Sequence, residues 1–141
     1  MQLAEQIARE VLGKGIRVVS YDKSHGHLVA YGETSKIYIV YTTRTLKNSG
    51  AVFGKDFGEM LGVRTSILMQ SYDYIMWIVN RGSKIDVYMD RSSKVHSFCT
   101  ESNTVYRNRE TGEYICNYPA TLAKHVESIT LHRTLDSYKK S

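Results

Sequence analysis

Apolar residues at the start of the chain recur at helical spacing. Leu3, Ile7 and Val11 fall four apart, with Ala4, Ala8 and Leu12 beside them, which makes one stripe along a helix. Gly13 and Gly15 follow, where a left-handed cap costs little, so the pattern predicts a helix over residues 1–12. Residues 16–21 then form a short strand, and the polar, glycine-containing residues 22–26 a turn. Residues 28–31 and 37–41 are rich in β-branched and aromatic side chains and read as two strands joined by a hairpin turn over 33–36.

Further along, residues 45–55 read as a loop containing Asn48-Ser49-Gly50 and Gly54. Residues 56–70 place Phe57, Met60, Leu61, Ile67 and Leu68 on or near one helical face, against the weakening effect of Gly58 and Gly62. The run Tyr-Ile-Met-Trp-Ile-Val over 74–79 is continuously apolar, as in a strand buried on both faces. Gly82 turns the chain, and strands are predicted at 85–89 and 95–99. Segments 104–107 and 114–117 flank Glu110-Thr111-Gly112-Glu113 as a hairpin. Pro119 suits the first turn of a helix striped by Leu122, Val126 and Ile129, and the polar tail 136–141 is expected to fray.

No repeat or low-complexity linker divides the chain, and its 141 residues suit one core. The expectation is a single α/β domain over 1–141, with a core at 1–90 and a β–α extension at 91–141. Its central mixed β-sheet is flanked by helices, and a small C-terminal β-hairpin plus helix follows.

Composition narrows the function classes only slightly. Hydrophobic residues at 42% and charged residues at 23% are ordinary for a globular protein. The net charge of +5 is compatible with a polyanionic partner without requiring one. No stretch approaches the ~20 apolar residues of a membrane span. Glu5, Arg9 and Glu10 sit at helical spacing where a signal peptide would be apolar, so a cytoplasmic protein with no membrane partner is expected. Cys99 and Cys116 lack metal-ligand spacing and read as core thiols, with a disulfide between strand neighbours as the alternative.

The order of helix, strand, hairpin, helix and apolar strand resembles the PD-(D/E)xK nuclease superfamily, the restriction-endonuclease-like proteins, and in particular the small Holliday-junction-resolvase-like members. The match runs from about residue 1 to 90, with Thr43-Arg44 where that family often continues its third strand. The resemblance implies a helical Glu, an Asp opening the second strand of the hairpin region and a Glu-x-Lys triplet on the third. Two such carboxylates hold a divalent metal that activates water and stabilises the phosphoryl transition state, and the Lys offsets developing charge. Here the Asp position is His27, the Glu position Val40 and the Lys position Thr42. Glu5 alone matches a family carboxylate, and it lies opposite the Leu3–Ile7 stripe, where a solvated side chain is the simpler reading.

Glu5, Asp22 and His27 are therefore the only catalytic candidates, and an active site would need acids relocated by folding, such as Glu5 with Asp22, or supplied by another subunit. His25 and His27 share a strand face if the strand begins early, but no third ligand is evident, so no metal is expected. Mg²⁺ enters only if the protein is an active nuclease. Gly-rich phosphate loops, nucleophile elbows and metalloprotease motifs are absent. Residues 50–57 are faintly similar to a run in the tRNA-splicing endonucleases, but the histidine expected soon after it is missing, the next being His96.

A nuclease-like shell without acids fits a binding module. Candidate nucleic-acid contacts are Lys23, Lys36, Thr42, Thr43, Arg44, Lys47 and Lys55, in a region without Asp or Glu from Lys36 to Lys55. Taken singly, each is as easily an ordinary surface residue. The expected partner is nucleic acid, double-stranded DNA foremost. The alternatives are an active metal-dependent DNA endonuclease and a non-catalytic assembly subunit, as a homodimer or with an active nuclease partner. Eleven tyrosines and Trp77 supply material for a protein interface, although those in strands suit the core equally.

Overall fold

The computed structural model describes residues 3–13, 15–22, 25–48 and 57–130. Lys23, Lys55, most of the loop expected over 45–55 and the tail 136–141 lie outside them.

Helix α1 (Leu3–Leu12) buries Ala4, Ile7 and Ala8 and ends at Gly13, whose φ of +100° is a conformation glycine adopts without strain. Strands β1 (Arg17–Asp22), β2 (His27–Tyr31) and β3 (Lys36–Thr42) form an antiparallel meander, close to the places the sequence reading assigned. β6 (Tyr74–Asn80) runs parallel to β3, and β7 (Lys84–Arg91) lies antiparallel beside it. β10 (Lys124–Thr130) completes a six-stranded mixed sheet in the order β1-β2-β3-β6-β7-β10. The continuous apolar run over β6 is buried on both faces, as its composition implies.

A second, antiparallel sheet is ordered β4 (Leu46–Asn48), β5 (Gly58–Arg64), β9 (Tyr114–Pro119) and β8 (Val105–Arg107). Alternation along the central strands sorts the core into two layers. Ile37, Ile39, Met76 and Ile78 face α1. Tyr38, Val40, Trp77 and Val79 face the second sheet, helix α3 (Ser92–Ser102) and the single turn α2 (Thr65–Leu68). The molecule is a mixed α/β fold with few helices. Helix α1 covers one face of the mixed sheet, and the other face carries α2 and α3 together with a second sheet that the sequence reading did not expect.

Four segments differ from the sequence reading. Residues 56–70 are not one helix: Gly58 has φ +68°, and β5 pairs with β9 from Met60↔Pro119 to Arg64↔Ile115, leaving only Thr65–Leu68 helical. Residues 95–99 are helical rather than a strand, because the buried positions of α3 are Ser92, Val95 and Cys99, one helical stripe. Pro119 ends β9 instead of opening a helix, and the expected C-terminal helix is strand β10. β10 has a bulge between His125 and Glu127, where two residues face one step of β7. Val126 and Ile129, three apart, therefore pack against the same core layer, which imitates helical spacing. The loop expected at 45–55 also begins with strand β4. The hairpin predicted around Glu110–Glu113 is present as β8–β9. Residues beyond Asp90 are woven into both sheets through β9 and β10.

Cys99 and Cys116 are free, buried thiols, the first on α3 and the second on β9. Among the described residues, no helix is long and apolar enough to cross a membrane.

Candidate functional site

The turn after β1, the start of β2 and the C-terminal end of β3 face β5 and the β8–β9 hairpin across a cleft of about 460 Å³. Strand register builds it. β2 and β3 are antiparallel, so the first residue of β2 lies near the last residues of β3, and both approach β5 where it leaves Gly62 for Arg64. The floor is apolar, with Val40, Met60, Val63 and Ile115; the rim carries His25, Arg44, Asn108, Thr111 and Glu113.

At one end a hydrogen-bonded network closes the cleft. Arg64 donates to the Tyr38 hydroxyl at 2.9 Å and to Glu113 at 3.3 Å, and its guanidinium lies 3.5 Å from Asp22. The Tyr38 oxygen is 2.8 Å from His27 Nδ1, and His25 Nδ1 is 2.8 Å from the Asp22 carboxylate. Burial, then the positive charge of Arg64, holds His27 down to about 4, so its ring is neutral at pH 7. A neutral imidazole lets Tyr38 accept from Arg64 while donating its own proton to His27 Nδ1. Burial of Tyr38 also raises its hydroxyl above the ordinary phenol range, with Arg64 opposing that shift. The whole arrangement is a clamp between the two sheets, with Arg64 on β5 reaching Tyr38 and Asp22 of the larger sheet.

The cleft gathers some of the sequence-predicted residues and separates others. His27, Val40 and Thr42, the positions where the nuclease resemblance calls for Asp, Glu and Lys, all line it. Val40 and Thr42 are two apart on β3 and so share one face. Thr42 Oγ1 donates to the Arg44 carbonyl at 2.7 Å and accepts from the Arg44 amide at 3.1 Å, a tight turn that sets Arg44 at the cleft mouth. Among the described residues the Arg44 guanidinium has no carboxylate partner. Thr43 is exposed beside it, and Lys47 is exposed on β4 without lining the cleft.

Lys36 does not join this group. It opens β3, at the far end from Thr42, with its ammonium 4.6 Å from the Tyr72 ring centroid. Glu5 lies on α1, across the main sheet from the cleft, and pairs with Arg9 at 3.2 Å. Asp22 reaches Arg64 on the cleft side of the sheet. A joint site of Glu5 and Asp22 is therefore excluded by the sheet between them. Lys23 and Lys55 lie outside the described residues. No group of three or more His, Cys, Asp or Glu among the described residues is placed to hold a metal ion.

Arg64, Tyr38, Asn108 and Glu113 belong to the site without having been singled out by sequence. Arg64 was hidden in a segment with helical apolar spacing. Glu113 read as a hairpin-turn residue, and Asn108, just before that turn, drew no reading; its Oδ1 accepts from the amides of Glu110 and Thr111. Only pairing of β5 with β9 brings them to the cleft.

No family model matches the chain, and no curated protein matches it. Among solved structures, the one described as "Crystal Structure of MepB" is similar over 99% of this chain and 92% of that one, with a TM-score of 0.42 and 9% sequence identity.

Proposed function

We propose that this chain is a nucleic-acid-binding protein, with double-stranded DNA its foremost partner, built on a shell that resembles the restriction-endonuclease-like nucleases without their metal-binding carboxylates. The observation that carries the reading is the convergence of His27, Val40 and Thr42 on one cleft. These are the positions at which the resemblance calls for Asp, Glu and Lys. In their place stand a neutral imidazole, an apolar floor residue and a turn hydroxyl, none of which supplies a carboxylate for Mg²⁺. What is left at the mouth is Arg44, exposed and without an acidic partner among the described residues, with the Thr43 hydroxyl beside it and Lys47 on the adjoining strand. Guanidinium, ammonium and hydroxyl groups of this kind hold phosphate oxygens and fix register on a duplex.

The test is binding of labelled duplex DNA across a salt series, with Mg²⁺ present and products resolved on a denaturing gel. The expected result is salt-dependent binding without new bands. Changing Arg44 and Lys47 together to Ala should weaken binding and reduce the log–log salt slope by roughly 2, one for each phosphate no longer neutralised. Binding that ignores salt and both substitutions would reject the reading. Metal-dependent cutting would show that acids are brought in from elsewhere.

A further inference from the structure

The cleft is too small for a duplex and the right size for one nucleotide. Its volume of about 460 Å³ falls in the range of small-molecule sites. A base pair inside a duplex offers only its edges in the grooves, whereas an unstacked nucleotide offers a flat apolar face and a Watson–Crick edge. The lining matches the second description. Val40, Met60 and Val63 give an apolar floor, and Tyr106, 43% exposed, contributes an aromatic ring to the wall.

The rim supplies polar groups of both kinds. Asn108 uses its side-chain oxygen to accept from the amides of Glu110 and Thr111, which fixes the orientation of its amide. Its NH₂ has no acceptor among the described residues and is a donor held at the cleft edge. Glu113 offers an acceptor carboxylate, held by Arg64 at 3.3 Å. Arg44 stands at the mouth, where the phosphate of a nucleotide lodged on the floor would lie.

We propose that the cleft is a pocket for a single unpaired nucleotide of a bound DNA strand, its base resting on the Val40–Met60–Val63 floor against Tyr106 and its phosphate on Arg44. This rests on the nucleic-acid reading above and specifies what the cleft itself takes.

The experiment compares a fully matched DNA duplex with the same duplex carrying one unpaired 2-aminopurine bulge, measuring affinity and 2-aminopurine fluorescence at fixed salt. The bulged duplex should bind about tenfold tighter, the scale of one base stacked on an aromatic ring, and its fluorescence should be quenched. Tyr106→Ala should remove the preference and the quenching, and Tyr106→Phe, which keeps the ring, should retain both. Circular-dichroism melts confirm that each variant is folded. Salt-dependent binding of both duplexes with equal affinity would overturn the pocket and leave the nucleic-acid reading standing. A bulge preference that survives Tyr106→Ala would also overturn it, by placing the nucleotide elsewhere. Absence of binding to either duplex would overturn both.

Discussion

The indole nitrogen of Trp77, at the centre of the six-stranded sheet, donates a 2.9 Å hydrogen bond to the backbone carbonyl of Gly62 in the second sheet. Trp77 is fully buried, and its ring stacks on Tyr118 at a centroid distance of 6.0 Å and an interplanar angle of 7°. Gly62 also lines the cleft, so this bond fixes the spacing of the two sheets beside the candidate site.

Trp77→Phe keeps an aromatic ring in the core but leaves the Gly62 carbonyl without its donor. An unsatisfied buried acceptor costs about 1–3 kcal/mol, and the smaller ring adds a packing penalty. The urea midpoint should fall with an unchanged slope. An unchanged midpoint would mean that the bond does not hold the sheets together.

Arg81 is the hub of a second polar network. It donates to Glu59 on β5 at 2.6 Å and to Asp86 on β7 at 2.5 Å, tying the sheets together at the β6–β7 turn. Its hydrogen bonds hold Glu59 below the usual carboxylate range. Burial pushes Asp86 up, but the hydrogen bond from Arg81 and the nearby cations outweigh it and keep it low as well. Arg81→Met leaves these two carboxylates facing each other, with Asp86 only 4% exposed. A loss of about 2–3 kcal/mol at pH 7 is expected, below the fully buried case because the site is partly solvated. Depressed carboxylates contribute stability above their unfolded values and lose it as pH falls. The gap between wild type and variant should therefore close as pH falls below about 4. Denaturant titrations at pH 7 and pH 3.5 measure both.

Much of the first half was legible because local pattern and tertiary role coincide there. The α1 stripe has the helical period, and the β2–β3 hairpin and the doubly buried β6 are short runs of strand-favouring side chains whose local signal matches their place in the sheet. The misreadings share a different cause. Val126 and Ile129 share a face through a bulge, and Met60, Leu61 and Val63 belong to a strand whose partner β9 lies more than fifty residues away. Non-local pairing leaves no local period to read. The site inherits this division: His27, Thr42 and Arg44 are visible from the hairpin, while Arg64 and Glu113 join them only through β5–β9 pairing.

Cys99 and Cys116 should both be silent toward a thiol reagent in the folded protein. Cys99 donates to the Asn117 carbonyl at 3.4 Å, and Cys116 lies 3.5 Å from the Thr65 hydroxyl. The neighbouring Cys116 sulfur and burial push the Cys99 thiol above the ordinary range, whereas the hydrogen bond with Cys99 draws Cys116 down to about 7, so it is burial, with Cys116 only 1% exposed, that keeps this second thiol from the reagent. A chromogenic disulfide reagent should release two equivalents only in denaturant. Rapid reaction under native conditions would show that the α3–β9 contact opens readily.

His27 should make the fold less stable in mild acid. Its pKa is about 4 in the folded chain, against about 6.5 for an unperturbed histidine, because burial and Arg64 disfavour the charged ring. Between those values the unfolded chain binds a proton that the folded chain does not. The stabilisation is complete above pH 6.5, declines as pH falls and levels off below about 4. Its size is on the order of 2 kcal/mol, allowing for partial exposure of the ring. His27→Gln keeps an acceptor for the Tyr38 hydroxyl and removes the titration. Asp22, His25 and Arg64 also face the ring and remain in both proteins, as do Glu59 and Asp86 in the other network, so the difference between the two isolates His27. Unfolding free energies at pH 7 and pH 4.5 should diverge less for the variant than for wild type, and the His27 ring resonances should titrate near pH 4. A ring titrating near 6.5, with equal pH dependence in both proteins, would mean that the Arg64–Tyr38–His27 clamp is open in solution and the cleft is wider at that end.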